Sequence, residues 1–381
     1  MARITPTLDL TGFGRADFVM EAVVEDLDVK RRVFGEIEVR VRPDAVLATN
    51  TSSLSVDALA GGLVRPERLC GFHFFNPVHR MPLVEVVRGA RTSDRTLVTA
   101  VALARRLGKT PVVVRDAPGF VVNRILMPYL REAMYLLEEG YALRDIDGAM
   151  RDFGMPMGPF EVVDEVGIDV AHKVAGILAQ AFPDRMEPSP ALEKLLAAGR
   201  LGRKSGAGFY RHRGGKRQPE PELRALLDLS RQRRGQPLDP IEERLVLAMI
   251  NEASRCLEDR VAADAGAIDI AMVFGAGFPP FRGGPLRHAD TDRPGGDRDA
   301  AHRAARRARR SLRAVQAAQR SRAARGVLHR DRRWYGCRLT WAQELNKNVV
   351  RSLRGVTARG PVGLGRLARS GGLGPSAAIG P

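Results

Sequence analysis

Short apolar runs alternate with helical patterns between residues 17 and 115, and this alternation is the feature that most constrains the fold. Such segments form a sheet whose strands are joined by helices that pack on its faces. The chain is therefore expected to begin with half of a doubly wound α/β sheet. The predicted strands are 17–22, 45–49, 69–72, 83–87 and 111–114, and the predicted helices between them are 29–41, 56–60 and 94–107.

Three of these strands are each expected to have a functional side chain at the carboxyl end. The three groups are a hydroxyl, an imidazole and a carboxylate. They belong to Ser52, His73 and Glu85. Open α/β sheets build their active sites at the carboxyl ends of their strands. A carboxylate on a neighbouring strand holds an imidazole in one tautomer, as a general base requires. This pattern predicts an enzyme.

A glycine-rich phosphate-binding turn is expected between the first strand and the first helix of a nucleotide-binding sheet. No such unit precedes Asp17. Gly12 and Gly14 make a partial match that leads into a strand rather than a helix. Gly363 and Gly365 make another match in a region of unusual composition. The sequence therefore predicts a partial Rossmann-like sheet, truncated at its amino terminus.

Helices follow from Pro118, at 123–139, 145–153 and 162–178, where apolar residues recur at three- and four-residue spacings. A set of residues also recurs at an offset of 120 to 122 positions. This recurrence predicts an all-α domain with a tandem repeat, packed as an intrachain pseudo-dimer. The set is Arg124, Glu132, Ala133, Leu137, Glu138, Asp147, Pro159 and Phe160, matched by Arg244, Glu252, Ala253, Leu257, Glu258, Asp269, Pro280 and Phe281.

The formal net charge of +17 is concentrated at the carboxyl terminus. Residues 291–381 contain 21 of the 61 Lys and Arg residues but 5 of the 44 Asp and Glu residues, so residues 1–290 are nearly neutral. The tail is poor in large apolar residues, which predicts disorder. Its arginine-rich, lysine-poor composition is what a GC-rich gene gives when it is read out of frame. A genuine basic tail is the alternative, and the neutral body argues against a nucleic-acid-binding protein.

The three cysteines, Cys70, Cys256 and Cys337, show neither metal-ligand spacing nor a disulfide framework, which favours a reducing compartment. The amino terminus lacks the apolar core of a signal peptide, and no run reaches membrane-spanning length. We expect a cytoplasmic protein with no membrane segment and no metal. The expected domains are an incomplete nucleotide-binding domain over 1–116, a first helical domain over 117–212, a linker over 213–238, a truncated second repeat over 239–291 and the tail over 292–381.

Six motifs in order give the chain a family resemblance. They are Glu21 to Glu25 with Lys30, Asn50 to Leu54, His73 to Pro77, Glu85, Asp116 to Arg124, and Met157 to Phe160. Together they resemble the 3-hydroxyacyl-CoA dehydrogenase family. The tandem helical repeat is similar to the dehydrogenase part of the multifunctional fatty-acid oxidation enzyme, in which a hydratase domain comes first.

The resemblance implies NAD-dependent oxidation of (S)-3-hydroxyacyl-CoA to 3-oxoacyl-CoA in fatty-acid β-oxidation. It makes His73 the catalytic base, Glu85 the carboxylate that orients it, and Ser52 and Asn123 the residues that position the substrate. The alternative for His73 is a capping residue at a strand end. Ser52 could cap the following turn, and Asn123 the long helix.

For the cofactor, the resemblance implies that Glu25 and Lys30 bind the ribose next to nicotinamide. It places Asn50, Ser52 and Asn76 around the nicotinamide. The alternative for Glu25 and Lys30 is a solvated surface pair. Acyl-CoA is the implied substrate, and a thiolase subunit is an implied partner. Because the glycine turn is missing, two further alternatives are an inactive fragment and a split enzyme completed by a missing amino-terminal chain.

Overall fold

The computed structural model describes residues 4–229 and 239–291. Five strands near the amino terminus form one sheet in the order β1-β2-β3-β4-β5. The Rossmann-like sheet followed by helices is therefore confirmed, and each strand falls where the apolar runs predict it. The strands are β1 (Phe18–Glu21), β2 (Val46–Thr49), β3 (Leu69–Phe74), β4 (Leu83–Arg88) and β5 (Thr110–Arg115).

Three of the four strand pairs are parallel, but β3 and β4 are antiparallel. The connection over residues 75–82 contains no helix, and parallel neighbours need a longer crossover. The reversal corrects one expectation, because Glu85 lies near the amino end of β4 and not at a carboxyl end. It also places Glu85 directly opposite His73.

Helices cover both faces of the sheet. They are α1 (Leu27–Glu38), α2 (Val56–Ala60) and α3 (Asp94–Arg106), each begun by a side-chain cap from Asp26, Ser55 or Ser93. The α3 helix packs with Val46, Phe72 and Val84 in a separate core on one face. The opposite face shares a continuous core with the helical region. The site is therefore built where the sheet meets the helices.

The first helical unit comprises five helices: α4 (Val122–Glu138), α5 (Leu143–Phe153), α6 (Pro159–Val166), α7 (Ile168–Ala181) and α8 (Pro190–Ala197). A hairpin follows, made of β6 (Tyr210–Arg213) and β7 (Lys216–Pro219), and then the short helix α9 (Leu223–Leu226). The hairpin's second strand and α9 lie in the segment that the sequence assigns to a linker. They are ordered because Leu223 and Leu227 join the core and Glu220 pairs with Arg200 and Arg211.

The second helical unit comprises α10 (Asp239–Glu258), α11 (Ala265–Ala276) and α12 (Pro285–Thr291). Reciprocal ion pairs join α4 and α10. Arg124 Nε donates to Glu252 Oε1 at 2.8 Å, and Arg244 Nε donates to Glu132 Oε1 at 2.6 Å. Arg124 also bonds Asp259, as Arg244 bonds Glu139. Exchange of equivalent partners is the signature of twofold symmetry, as the sequence repeat predicts.

One part of the predicted repeat is wrong. Asp147 Oδ1 accepts a hydrogen bond from Phe160 N at 2.9 Å, at the start of α6, and Asp269 Oδ1 accepts one from Leu286 N at 2.8 Å, at the start of α12. Pro159 and Phe160 therefore correspond to Pro285 and Leu286, not to Pro280 and Phe281. The nearly constant offset of 120 to 122 positions did not reveal this match, because extra residues precede α12 in the second unit.

The predicted basic tail over 292–381, with Gly363, Gly365 and Cys337, lies outside the described residues. Gly12 and Gly14 are described, and the short 3-10 turn at Phe13–Arg15 leads into β1, as the sequence predicts. Neither residues 4–229 nor 239–291 include a helix with the length and apolar character needed to cross a bilayer.

The close contact between Gly158 and Asp147 gives a stability prediction. A Cβ atom at Gly158 would lie 2.3 Å from Asp147, so we expect Gly158→Ala to lower the free energy of unfolding by about 1–3 kcal/mol. Nothing lies within 4 Å of a Cβ at Gly35, in the middle of α1. Gly35→Ala should therefore be neutral or stabilising by up to about 1 kcal/mol. Denaturant unfolding of both variants checks this, and equal effects would contradict it.

Candidate active site

His73 and Glu85 form a buried pair across β3 and β4. Nδ1 of His73 lies 2.8 Å from Oε2 of Glu85. His73 is 5% exposed and Glu85 is fully buried. Because a carboxylate accepts hydrogen bonds, Nδ1 is assigned as the nitrogen that donates to Glu85, and Nε2 is then the nitrogen that faces away from this contact. The rings of Phe75 and Phe120 pack against the imidazole, with centroids 4.5 and 5.6 Å away.

The second oxygen of Glu85 is held by the start of α4. Oε1 accepts hydrogen bonds from the N–H groups of Val121 and Val122, each at 3.1 Å. The first N–H groups of a helix have no acceptor within the helix and are available for such contacts. Gly119 and Phe120 precede them with φ angles of 73° and 48°. Phenylalanine is uncommon in the left-handed backbone conformation. Here this conformation directs the first N–H groups of α4 towards Glu85 on β4.

Ser52 and Asn123 meet beside this pair. Nδ2 of Asn123 donates to the carbonyl oxygen of Ser52 at 3.2 Å, which joins the loop after β2 to α4. Asn123 does not cap α4, because the N-cap position of that helix is Val121, and in the turn after Ser52 the Thr51 hydroxyl accepts from Leu54 N at 2.8 Å. Both Ser52 and Asn123 remain partly exposed.

Lys30 and Glu25 form part of a buried charge cluster rather than a solvated surface pair. The Lys30 side chain is fully buried, with Nζ 2.7 Å from Glu21 Oε1 and 3.3 Å from Glu25 Oε2. Thr49 donates to the other oxygen of Glu21 at 2.7 Å. Buried charges need such partners, so this cluster fixes the loop between β1 and α1.

Glu25 also organises the segment after β2. Its Oε1 accepts from the Thr51 hydroxyl at 2.6 Å and from Ser52 N at 2.9 Å. Burial opposes ionisation of Glu25, but these hydrogen bonds and the charge of Lys30 outweigh it, so the pKa of Glu25 is lowered. Glu25 is therefore a charged acceptor that remains partly open to solvent.

Asn50 and Asn76 flank His73 on two segments. Oδ1 of Asn50 accepts a hydrogen bond from Phe74 N at 3.0 Å, which ties the end of β2 to the end of β3. Asn76 is exposed in the segment after β3. Hydrogen bonds thus link Lys30, Glu25, Ser52 and Asn123 in one chain, and the start of α4 connects that chain to Glu85 and His73. Among the described residues, Asn76 is exposed after β3 and makes no hydrogen bond to this chain.

Sequence reasoning missed several members of the site. Glu21 and Thr49 are the last residues of two adjacent parallel strands. Their positions at the ends of predicted strands could have identified them as members of the site. Thr51 lies within a recognised motif, but no pattern distinguishes its hydroxyl from that of Ser52. The Val121 and Val122 residues contribute main-chain N–H groups, which residue type does not reveal. The sequence feature that indicates them is the Pro118–Gly119 turn before a predicted helix.

The comparisons with known proteins agree with this geometry. Residues 1–117 match the model of the 3-hydroxyacyl-CoA dehydrogenase NAD-binding domain, and residues 119–212 match that of the 3-hydroxyacyl-CoA dehydrogenase C-terminal domain. These define the class, an NAD-binding oxidoreductase with a Rossmann-like sheet and a helical domain. The chain belongs to the 3-hydroxyacyl-CoA dehydrogenase family.

Three solved structures illustrate the relationship. A 3-hydroxybutyryl-CoA dehydrogenase from Escherichia coli K12 is 31% identical, with a TM-score of 0.66 over 76% of this chain and 77% of that one. The (S)-3-hydroxybutyryl-CoA dehydrogenase PaaH1 from Ralstonia eutropha is 39% identical, with a TM-score of 0.54 over 56% and 76%. The dehydrogenase part of multifunctional enzyme 1 from C. elegans is 30% identical, with a TM-score of 0.50 over 69% and 60%.

The described residues fit one end of NAD better than the other. The ionised, partly open Glu25 carboxylate suits ribose hydroxyl groups, and it lies beside the loop that follows β2. At the helix after β1, however, Asp26 accepts from Asp28 N at 3.0 Å and from Val29 N at 2.9 Å. A carboxylate already occupies the N–H groups that a phosphate would need at that helix. The start of α1 is therefore not a pyrophosphate site.

Burial of the Lys30 ion pair gives a second stability prediction. Lys30→Met would leave Glu21 buried without its cation, so we expect a loss of about 3–5 kcal/mol in the free energy of unfolding. Arg42→Met is the matched control, because Arg42 pairs with Asp17 and Asp44 at the surface. Its effect should be several-fold smaller. A small loss for Lys30→Met in chemical denaturation would show that the buried pair is not required.

Proposed function

We propose that this chain oxidises the hydroxyl group of an (S)-3-hydroxyacyl-CoA to the 3-oxo group, with NAD as acceptor, in fatty-acid β-oxidation. The observation that carries the proposal is the buried His73–Glu85 pair. A histidine whose Nδ1 is held by a carboxylate presents Nε2 as a base, and this is what removal of a hydroxyl proton requires. Family membership supports the same reaction.

In the proposed reaction, Nε2 of His73 takes the proton from the substrate hydroxyl while the C–H bond at the same carbon breaks. NAD, when bound, supplies the acceptor for that hydride. The imidazolium that forms is stabilised by the adjacent Glu85 carboxylate. Val121 and Val122 donate to that carboxylate, so it is held in place before the proton moves.

Ser52 and Asn123 are proposed to orient the substrate hydroxyl and thioester carbonyl. The Ser52 hydroxyl is only loosely engaged, 3.4 Å from Glu25, so it remains available as a donor. Glu25 is proposed to bind the ribose next to nicotinamide, with Asn50, Ser52 and Asn76 around the nicotinamide. Lys30 is proposed to act through Glu25, because its ammonium group is already surrounded by Glu21, Glu25 and the Val23 carbonyl.

Replacing either member of the pair tests the proposal. His73→Asn removes the base, and we expect kcat for 3-hydroxybutyryl-CoA oxidation to fall about 10²–10⁴-fold. Glu85→Gln should also lower kcat, because the amide no longer stabilises the imidazolium. His79→Asn is the control, since that exposed histidine lies a few residues further on. Unchanged turnover in folded His73→Asn protein would exclude His73 as the base.

A second candidate is a split enzyme, in which another polypeptide completes the NAD site. Two observations support it: Asp26 occupies the start of α1, and within residues 4–229 and 239–291 β1 is an edge strand that pairs in the sheet only with β2. Unpaired edges accept additional strands. On this view the isolated chain would be inactive or weakly active until the second chain binds.

Cofactor halves distinguish the two candidates. If the chain binds only the nicotinamide end of the cofactor, reduced nicotinamide mononucleotide should raise the Tm as much as NADH does, and ADP-ribose should not raise it. A larger shift with NADH would mean that the chain also binds the adenosine half. No shift with millimolar NADH would exclude independent binding and favour the split enzyme.

The proposed reaction implies the partners, and the cysteines bear on the compartment. Acyl-CoA is the proposed substrate, and a thiolase subunit is a proposed partner because the product is a 3-oxoacyl-CoA. The near-neutral charge of residues 1–290 argues against nucleic acid as a ligand. Two free, buried thiols, Cys70 and Cys256, support a cytoplasmic location.

A further inference from the structure

The ion pairs between α4 and α10 are symmetric in chemistry but not in position. The Arg124 pair lies at the start of α4, directly after Val121, Val122 and Asn123, which contact Glu85 or Ser52. The Arg244 pair joins the start of α10 to the far part of α4, at Glu132 and Glu139. Only the Arg124 pair is next to the active site.

Arg124 fixes the start of α4 to the second helical unit. Its side chain is 2% exposed, and it bonds Glu252 at 2.8 Å and Asp259 at 2.5 Å. Glu252 is also 2% exposed and accepts from Arg185 at 3.0 Å. Phe182 packs under both guanidinium groups, 4.6 Å from Arg124 and 4.1 Å from Arg185. The Arg124–Glu252 contact is buried on both sides, and a buried ion pair of this kind holds its two members in one geometry, whereas Asp259 is 53% exposed.

The helix α11 supports the same place from another side. A Cβ atom at Gly275 would lie 2.6 Å from Leu83 of β4 and 2.9 Å from Val122. The glycine therefore allows α11 to pack directly on the strand that carries Glu85 and on a residue that donates to it. Nearby, Arg115 N donates to the Val261 carbonyl at 2.7 Å, so the second helical unit also bonds to β5.

The pKa of the Cys256 thiol on α10 responds to the charges of the Arg124 ion-pair network and of Glu85. Burial raises the pKa of its thiol, Arg124 opposes that shift, and Glu252, Asp259 and Glu85 add to it. One buried thiol thus lies within the electrostatic range of both the ion-pair network and Glu85.

We infer that the second helical unit positions the His73–Glu85 pair, and that Glu252 is a positioning residue for the proposed reaction. Glu252 acts through Arg124, which anchors the helix start whose N–H groups orient Glu85. Gly275 acts through the packing of α11 on β4 and Val122. The inference rests on the proposed function, and it adds residues 239–291 to the machinery of a site formed by residues 21–123.

The pseudo-symmetry supplies a matched experiment on the full chain. Glu252→Gln and Glu132→Gln each weaken one of the two reciprocal arginine pairs between α4 and α10, but only Glu252→Gln acts at the active-site end. We expect kcat per folded molecule to fall about 10- to 100-fold in Glu252→Gln, with KM for NAD changed less than about twofold. Glu132→Gln should keep kcat, and Glu252→Asp should restore part of it. Equal kcat in both glutamine variants would overturn the inference.

Hydrogen exchange gives a readout that does not depend on activity. The Val121 and Val122 amides should exchange faster in Glu252→Gln than in the unmodified chain. In Glu132→Gln their exchange rates should be unchanged. If the unmodified chain has no dehydrogenase activity, the proposed function fails while this measurement still decides whether Glu252 anchors the helix start. Equal exchange in all three proteins would refute the anchoring.

A pair of glycine variants covers the case in which Glu252→Gln does not fold. Gly275→Ala adds one methyl group between α11, Leu83 and Val122 without changing any charge. Gly176→Ala adds the same group in α7, where nothing lies within 4 Å. Faster exchange of the Val122 amide and a lower kcat in Gly275→Ala alone would support the inference. The same behaviour in both variants would refute it.

Discussion

Burial of the Glu85 carboxylate is the constraint on which the rest of the site depends. An ionised group without exposure must be surrounded by donors, and here Nδ1 of His73 and the amides of Val121 and Val122 supply them. That requirement fixes the imidazole tautomer and ties β4 to the start of α4. Glu85 is therefore one point at which the sheet and the first helical unit are joined.

The same principle recurs at the other end of the site. Lys30 is buried only because Glu21 and Glu25 surround it, and Glu25 in turn collects the hydroxyl and amide donors that follow β2. The buried Lys30 thus fixes Glu25, which in turn holds the segment that contains Ser52. Rigid placement of such groups is a large part of what an enzyme contributes to a reaction.

The helical repeat connects stability with function. Reciprocal arginine pairs at Arg124 and Arg244 bind α4 to α10, and one of them lies next to the helix start that contacts Glu85. A duplicated unit can therefore support a site that lies in neither copy's own core. The proposed role of Glu252 follows from this placement.

The sequence by itself determined the five strands, the helices between them and the first two helices of the helical region, and it supplied the candidate site residues, because apolar periodicity and residue type are local properties. Tertiary structure decided the antiparallel course of β4, the match of Pro285 to Pro159, and the burial of Lys30. It also selected the Val121 and Val122 amides as partners of Glu85. All of these features depend on which segments meet in space. Every residue except proline has a main-chain N–H group, so the sequence does not show which of these groups will bind Glu85.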